Sequence, residues 1–459
     1  MKSFLVKGEW WLPENPDKKI GGELSFSQDD GGRLLLLGVF EEDWEASPFH
    51  SVLIGIDENN DLYSLEKCTR NNTVYGRFSS CSYRIYRIFR GIHVNSTEDL
   101  LFKKFSIEFS YLFDWLDNSG LTLERSIKDY RSSFTYVVPD DLEVYRNDEV
   151  RIELTFEGKS SEALAGYNFV ESVSVFGEVC EFIDFDTTLQ KYVMPIIQLL
   201  DLATDKRNFV ESLTFIVTEG DPALVSCFYQ QIEYEQRSQE KLTHNRMLLP
   251  FAKIREINPR VFENWFDVAN NMPVITRLFF RERHSPRMFL ELRLLTITQA
   301  LEKYHRHKHE NDLVPMSLRK SVRRKFVKSI PKAQRDWVIK GLQYAGQKSL
   351  KDRLSELVGN RQEILLPIVG NLDQFARAAT SNRNYYTHFG EELETKRFKD
   401  HEFLFLVETL SILLESCLLN EIGMDTGTQH ELFRAYPKYR WLETNSQTLK
   451  DAMQREWPL

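Results

Sequence analysis

The periodicity of apolar residues changes once along the chain, near Phe251, and this change limits the possible folds more than any other feature. Before it, β-branched and aromatic residues alternate with polar residues at a period of two, which is typical of half-buried strands. After it, apolar residues recur about every 3.6 positions, which is typical of amphipathic helices. This order predicts an α+β chain, in which a β-rich N-terminal domain of antiparallel sheets precedes an all-α bundle. The polar stretch 233–246 places the boundary near residue 245, which gives domains 1–245 and 246–459.

Turn residues divide the first domain into hairpins. The segments 29–32 (Asp-Asp-Gly-Gly) and 58–61 (Glu-Asn-Asn-Asp) each separate two apolar runs and predict tight turns. One stretch departs from the strand pattern, because residues 189–202 are apolar at helical spacing after a plausible cap at Asp186. Pro195 inside that helix removes a backbone donor and predicts a kink near Lys191–Met194.

The second domain is expected to contain ten helices, and its long apolar helices are expected to supply both a bundle core and a surface for a partner. The predicted ranges are 258–270, 273–281, 287–309, 316–328, 332–345, 348–358, 361–379, 384–393, 399–422 and 446–455.

Composition excludes several other classes of protein. Apolar residues make up 42% and aromatic residues 13% of the 459 positions, so a largely disordered chain is excluded. No window of 18 residues is uncharged and apolar, so we expect a cytoplasmic protein without a membrane segment. No phosphate-binding glycine loop is present, and five scattered cysteines suggest neither a disulfide framework nor a zinc site.

The two halves carry opposite charge. Residues 1–250 contain 42 acidic and 25 basic side chains, a net charge of −17. Residues 251–459 contain 26 acidic and 34 basic side chains, a net charge of +8. We therefore expect only the C-terminal part to bind nucleic acid or another phosphate-rich ligand.

The strongest local signal is the segment Arg383-Asn-Tyr-Tyr-Thr-His388. Arginine is a permanently charged, fork-shaped donor for phosphate oxygens, and histidine titrates near neutral pH, so the pair suits phosphodiester chemistry. On one helix Arg383 and His388 lie roughly 140° apart, whereas Asn384 and His388 share a face about 6 Å apart. Asn384 is therefore predicted to orient the imidazole. Convergence of Arg383 and His388 on one phosphate is easier if the motif starts a helix or meets a second copy across a two-fold axis.

This segment resembles the Arg-polar-x-x-x-His motif of HEPN domains. The apolar stretches 289–305 and 403–423 resemble the helices that flank that motif, with a domain core at about 286–425. The whole layout is similar to the ApeA family of abortive-infection proteins. The resemblance implies a homodimeric, metal-independent endoribonuclease without a cofactor, which arrests growth by cutting host RNA, with transfer RNA as a candidate target. It also implies that the N-terminal domain senses a phage-derived trigger.

The resemblance assigns roles to individual residues of the motif. His388 would transfer protons, Arg383 would hold the phosphate, and Thr387 would lend a hydroxyl. Tyr385 and Tyr386 would stack on unpaired bases, although both suit a core equally well. Glu302, on the preceding long helix, is either a buried partner of the motif or a simple i, i+4 partner of Arg306.

Two alternatives remain for the motif itself. In the first, Arg383 caps a helix or pairs with a carboxylate such as Glu391 or Glu392, and His388 is an ordinary surface or core histidine. In the second, the domain keeps the motif but binds RNA or a protein without cleaving RNA.

A basic run lies ahead of the motif. Residues 313–335 contain eight cations and no acid. On a helix, four of them form one stripe that is predicted to bind RNA, with a solvated face as the alternative: Lys320, Arg323, Arg324 and Lys328. His305 and His309 lie one helical turn apart, but two imidazoles without a third ligand do not make a metal site.

Overall fold

A computed structural model describes residues 1–40, 48–126, 131–163, 166–217, 223–232, 241–285, 287–310, 316–341, 346–389, 394 and 397–454. The chain divides into two compact units, Met1–Arg255 and Glu256–Leu459. The first unit is built mainly of strands and the second of helices, which confirms the predicted α+β class.

The observed division lies about ten residues after the expected one, because the residues that follow position 245 pack within the first unit. Trp115 is fully buried there, and its indole Nε1–H donates to the carbonyl oxygen of Leu249 at 2.7 Å. The ring of Phe251 lies 4.9 Å from the ring of Trp115. The change of periodicity at Phe251 therefore precedes the change of unit.

All strand pairings of the first unit are antiparallel. The strands are β1 Phe4–Trp11, β2 Ile20–Ser27, β3 Gly31–Leu36, β4 Phe49–Asp57, β5 Leu62–Val74, β6 Ser80–Arg90, β7 Leu101–Phe109, β8 Leu121–Ser126, β9 Arg131–Tyr136, β10 Leu142–Arg146, β11 Val150–Ala163, β12 Gly166–Asp184, β13 Val210–Val217 and β14 Ala223–Tyr229.

Strands β1 to β6 close on themselves in the order β6-β3-β2-β1-β4-β5, because β5 pairs back with β6. Strand β6 shares its other edge between two partners, since Cys81–Ile85 pair with β3 and Arg87–Arg90 pair with β14. An open sheet continues from that point in the order β14-β13-β7-β12-β11-β10. The two predicted turns join β2 to β3 and β4 to β5, as expected.

Among the described residues before position 245, the α-helices are α1 Leu112–Leu116, α2 Phe185–Thr188 and α3 Met194–Thr204. The cap of α2 is Asp184 and not the predicted Asp186, because Asp184 Oδ1 accepts the Thr187 N–H at 2.7 Å. A π-helical turn over Leu189–Val193 joins α2 to α3 and lies where Pro195 predicts a distortion.

The remaining helices are α4 Phe251–Ile257, α5 Val261–Asn271, α6 Pro273–Arg283, α7 Leu290–Lys308, α8 Met316–Lys328, α9 Arg335–Gly341, α10 Leu350–Gly359, α11 Gln362–Val369, α12 Leu372–His388, α13 Asp400–Glu421, α14 Thr426–Ala435, α15 Pro437–Thr444 and α16 Gln447–Met453. In the part of the chain that the structure describes, no helix is long and apolar enough to cross a membrane.

Several helix predictions need correction. Helices α4, α14 and α15 were not predicted, and the single helix expected at 361–379 is two helices. Gly370 has a φ of +72° after α11, and Asn371 then caps α12 by accepting the Gln374 N–H at 3.0 Å. Helix α12 continues through the motif to His388, so no new helix begins at residue 384.

Helix α13 is buried along nearly its whole length, from Phe403 to Leu419. A helix that is apolar on all sides belongs inside a bundle. The expectation that this helix also offers apolar surface to a partner is therefore wrong, because its own unit covers that surface. Helix α7 does expose apolar surface, since Leu292 near its start is 52% exposed.

Candidate functional site

The Arg383–His388 segment forms the C-terminal end of α12. The helix stops because Phe389 adopts a left-handed conformation with a φ of +50°. The motif therefore ends a helix, and the prediction that it starts one is wrong.

Arg383 is half-buried and is held by its sequence neighbour. Its guanidinium Nη1 donates to Asn384 Oδ1 at 3.2 Å. Among the described residues, no carboxylate lies within ion-pair distance of Arg383, whereas Glu391 and Glu392 lie outside those residues. With respect to the described residues, the positive charge of Arg383 is available to an anion.

Arg383 lines a cavity of about 440 Å³ within the helical unit. Three segments form its wall: the end of α7, the segment that leads into α10, and α12. The lining residues are Glu302, Arg306, Gln347, Lys348, Ser349, Leu350, Thr380, Arg383 and Asn384. Three cations and one carboxylate among these residues give the cavity a net positive charge, which favours an anionic ligand.

Of the two roles predicted for Glu302, the structure shows the i, i+4 pair with Arg306. Its Oε1 accepts a hydrogen bond from Arg306 Nη2 at 2.8 Å, which is the i, i+4 pair. The same atom lies 4.0 Å from Arg353 Nε. Glu302 also lines the cavity together with Arg383, so it is close to the motif without pairing with Arg383.

A buried histidine lies beneath this wall. His305 is fully buried, and one ring nitrogen lies 2.7 Å from Glu356 Oε2 while the other lies 3.1 Å from Arg353 Nη1. Burial lowers the pKa of His305, although the hydrogen bond with Glu356 opposes this effect. The ring of His309 stacks on that of His305 at 4.7 Å. Of the described residues, no group of three or more acidic, histidine or cysteine side chains could hold a metal ion.

His388 lies on the exposed end of α12 and does not line the cavity. The predicted hydrogen bond from Asn384 to His388 does not form, because Asn384 binds Arg383 instead. Thr387 is exposed, and its hydroxyl donates to the carbonyl oxygen of Arg383 at 2.8 Å. Within one chain, Arg383 and His388 therefore have different surroundings.

Two family models match the chain. Residues 6–265 match the family model described as ApeA N-terminal domain 1. The chain belongs to the ApeA family. Residues 295–428 match the Apea-like HEPN model, so the motif and every residue that lines the cavity lie inside the HEPN domain. HEPN domains are typically ribonucleases and commonly bind RNA and dimerise. No curated protein and no solved structure matched the chain.

The two tyrosines of the HEPN motif differ sharply in environment. Tyr386 is only 8% exposed, its ring stacks on Phe403 at 5.0 Å, and its hydroxyl accepts from Arg397 Nη1 at 3.3 Å. It is a core residue, so the prediction that it stacks on RNA bases is wrong. Tyr385 is half-buried, and the guanidinium of Arg397 lies 5.3 Å from the centre of its ring.

Helix α8 carries the predicted basic stripe of the HEPN domain. Lys320, Arg324 and Lys328 are exposed, and Arg323 donates to the carbonyl oxygen of Ile339 at 3.0 Å. None of these four side chains forms an ion pair with a described carboxylate. The opposite face of α8 is apolar and also exposed, a feature that the sequence analysis missed although the i, i+4, i+8 spacing was visible. Its residues are Leu318, Val322 and Phe326, which are 52%, 56% and 52% exposed.

Two cations beside the motif could not be recognised from the sequence. Arg306 and Lys348 line the same cavity as Arg383, although they lie 42 positions apart in the chain and neither belongs to a recognisable motif. Lys348 lay in no predicted basic stripe. Only the packing of α7 and the start of α10 against α12 brings the three together.

Proposed function

We propose that this ApeA-family chain is a metal-independent HEPN endoribonuclease that acts in the cytoplasm in antiphage defence. In this proposal it cleaves host RNA, with transfer RNA as a candidate, and thereby aborts infection. The observation that carries the proposal is the position of Arg383, which lines a positively charged cavity of the HEPN domain and has no described carboxylate partner.

The side chains of the motif suit phosphodiester cleavage. His388 is exposed and is proposed to take the proton of a ribose 2′-hydroxyl or to protonate the departing 5′-oxygen, a contribution of roughly 10²–10⁴-fold in rate. Arg383 is proposed to bind the phosphate and to stabilise the additional negative charge of the transition state. Neither role requires a metal ion.

A homodimer reconciles these roles with the geometry. Arg383 faces the cavity, whereas His388 lies on the exposed end of the same helix. In this proposal, two copies related by a two-fold axis bring the Arg383 of one chain beside the His388 of the other. The N-terminal domain is proposed to sense a phage-derived trigger and to control this assembly.

A second candidate function is an RNA-binding or protein-binding module without catalysis. One observation favours it: among the described residues nothing orients the imidazole of His388, since Asn384 binds Arg383. A domain that keeps the positive cavity without an oriented base would bind RNA and leave it intact.

Incubation of purified full-length protein with total RNA in EDTA separates the two candidates. We expect cleavage by the wild type and no cleavage by Arg383→Ala or His388→Ala, each with an unchanged melting temperature. Arg377→Ala is the matched arginine control, because Arg377 lies on the same helix and pairs with Asp373. His401→Ala removes another exposed histidine. Retention of RNA without cleavage would support the binding module, and full activity of either motif variant would refute the assigned site.

A further inference from the structure

Two cations outside the motif complete the wall of the cavity that contains Arg383. Lys348 lies just before α10, and Arg306 lies in the last turn of α7. Together with Arg383 they line one space, each from a different segment of the chain. Glu302 pairs with Arg306 and Glu356 pairs with Lys348, so among the described residues the charge of Arg383 is the one that no carboxylate neutralises.

Each of these two cations is held in place by a carboxylate. Lys348 Nζ lies 2.6 Å from Glu356 Oε1 and 2.8 Å from Glu356 Oε2, and its side chain is only 15% exposed. Arg306 Nη2 donates to Glu302 Oε1 at 2.8 Å. Ion pairs of this kind restrict the lysine and arginine rotamers before a ligand arrives. Less side-chain conformational entropy is then lost when the ligand binds.

The carboxylate that holds Lys348 is itself fixed. Glu356 also contacts the fully buried ring of His305 at 2.7 Å, and His305 contacts Arg353. The position of Lys348 therefore depends on a part-exposed carboxylate that contacts the buried His305, which in turn contacts the buried Arg353. Such support is typical of residues that position a ligand.

The size and lining of the cavity suit more than one phosphate group. A volume of about 440 Å³ lies within the range of small-molecule sites. Beside the cations, four neutral polar side chains line the space: Gln347, Ser349, Thr380 and Asn384. The hydroxyls of Ser349 and Thr380 already donate to Asp352 and to the carbonyl oxygen of Ala376, so the amide N–H groups of Gln347 and Asn384 are the donors that suit a ribose or a base edge. The chemistry that fits is a phosphate with an attached sugar and base.

We propose that the cavity holds one nucleotide of the RNA chain, and that Lys348 and Arg306 bind it together with Arg383. The proposal rests on the proposed function, because it takes RNA as the substrate. Lys348 and Arg306 contact the phosphate of the nucleotide, and the neutral side chains contact its sugar and base. Both cations are binding residues for the same reaction that His388 performs.

Binding of RNA can be measured apart from cleavage in a full-length His388→Ala background. The probe is a fluorescein-labelled, eight-nucleotide single-stranded RNA of mixed sequence, followed by anisotropy over a series of salt concentrations. In this background Lys348→Gln and Arg306→Gln are each expected to weaken binding about tenfold, as expected for the loss of a charged hydrogen bond. Each is also expected to lower the log–log salt slope by about 0.7.

Two further variants make the comparison specific. Lys303→Gln removes an exposed charge from the same helix as Arg306 without touching the cavity, and it should bind nearly as well as its parent. Lys348→Arg keeps the charge and should restore most of the affinity. Arg306 is 46% exposed in its side chain, so Arg306→Gln tests the proposal even if Lys348→Gln unfolds the domain.

Cleavage by proteins that retain His388 separates this proposal from the one on which it rests. Lys348→Gln is expected to raise KM more than it lowers kcat. If the wild type cleaves RNA but Lys348→Gln and Arg306→Gln bind and cleave like Lys303→Gln, the cavity proposal is overturned and the ribonuclease stands. If the wild type does not cleave but both variants bind RNA less tightly, the cavity is supported and the ribonuclease fails.

Competition identifies the source of the phosphate. Adenosine 5′-monophosphate and inorganic phosphate are expected to displace the labelled RNA only at concentrations far above that of unlabelled RNA. Displacement by the mononucleotide as readily as by RNA would overturn the assignment to an RNA chain and would indicate a free nucleotide.

Discussion

Tyr385 and Tyr386 show how one position along a helix changes the role of a side chain. Successive residues point about 100° apart, so Tyr386 enters the core while Tyr385 stays half-buried. We predict that Tyr386→Ala lowers the free energy of unfolding by roughly 3 kcal/mol, because it leaves a cavity beside Phe403. Tyr386→Phe should cost about 1 kcal/mol, through the lost hydrogen bond from Arg397. Urea unfolding of the variants measures both values.

Tyr385 is the matched control for that substitution and also a test of base stacking. Its ring remains accessible in part, so Tyr385→Ala should cost less stability than Tyr386→Ala. If Tyr385 stacks on an RNA base, Tyr385→Ala should also weaken RNA binding by about tenfold. Equal stability losses for the two alanine variants would contradict the assignment of Tyr386 to the core.

At the scale of helices, a buried network of charges joins α6, α7, α13 and α15. Arg293 pairs with Glu282 and Glu408, the latter at 2.7 Å, and Lys438 lies 3.2 Å from both Glu408 and Glu415. Burial alone would raise the pKa of Glu408, but Lys438 and Arg293 outweigh burial and lower it to about 2. The ionised form of Glu408 is therefore the one that stabilises the bundle.

This pKa predicts a loss of stability in acid. Since the pKa of Glu408 is lower in the folded chain than in the unfolded chain, its contribution is complete above about pH 4.5 and is lost as the pH falls towards 2. At neutral pH the ionised Glu408 contributes about 3 kcal/mol to the free energy of unfolding. We expect the free energy of unfolding of Glu408→Gln to fall less between pH 5 and pH 2.5 than that of the wild type. Glu431→Gln, an exposed acid on α14, should retain the wild-type slope.

The RNA binding predicted for helix α8 depends on its positively charged side chains. Changing Lys320, Arg323, Arg324 and Lys328 together to Glu should weaken RNA binding strongly, because fewer counterions are released when RNA binds. The log–log salt slope should fall by up to about 0.7 for each lost phosphate contact. The rate at saturating RNA should remain near that of the wild type, since His388 and Arg383 are unchanged. An unchanged affinity and slope would show that the stripe is only a solvated face.

The helix ends were the least predictable part of the fold. The predicted range 361–379 runs across Gly370 because the apolar spacing continues through it. The left-handed φ of Gly370 and the cap formed by Asn371 nevertheless separate α11 from α12. Short-range capping competes with apolar periodicity at such points, and the periodicity alone does not show which prevails.

At the scale of the whole molecule, the central prediction is a site shared between two chains. Residues 256–459 form a compact unit and should sediment as a dimer. Full-length Arg383→Ala mixed with full-length His388→Ala should recover activity, because one of the two sites in a mixed dimer then has both residues. If chains exchange freely between equal amounts of the two variants, half of the dimers are mixed and each mixed dimer has one complete site of two. About a quarter of wild-type activity is therefore expected. No recovery from two variants that each dimerise would place the whole site within one chain.

The amino-acid sequence alone determined the order of strands and helices, the two hairpin turns and the position of the motif within an ApeA-type layout. These features depend on residue periods and local turn chemistry, which neighbouring residues express without help from the rest of the chain. Only the tertiary structure decided that Tyr386 is a core residue, that His388 lies away from Arg383, and that Lys348 and Arg306 share a cavity with Arg383. Such contacts join residues far apart in the chain, and they arise from the packing of whole helices, which no local pattern encodes.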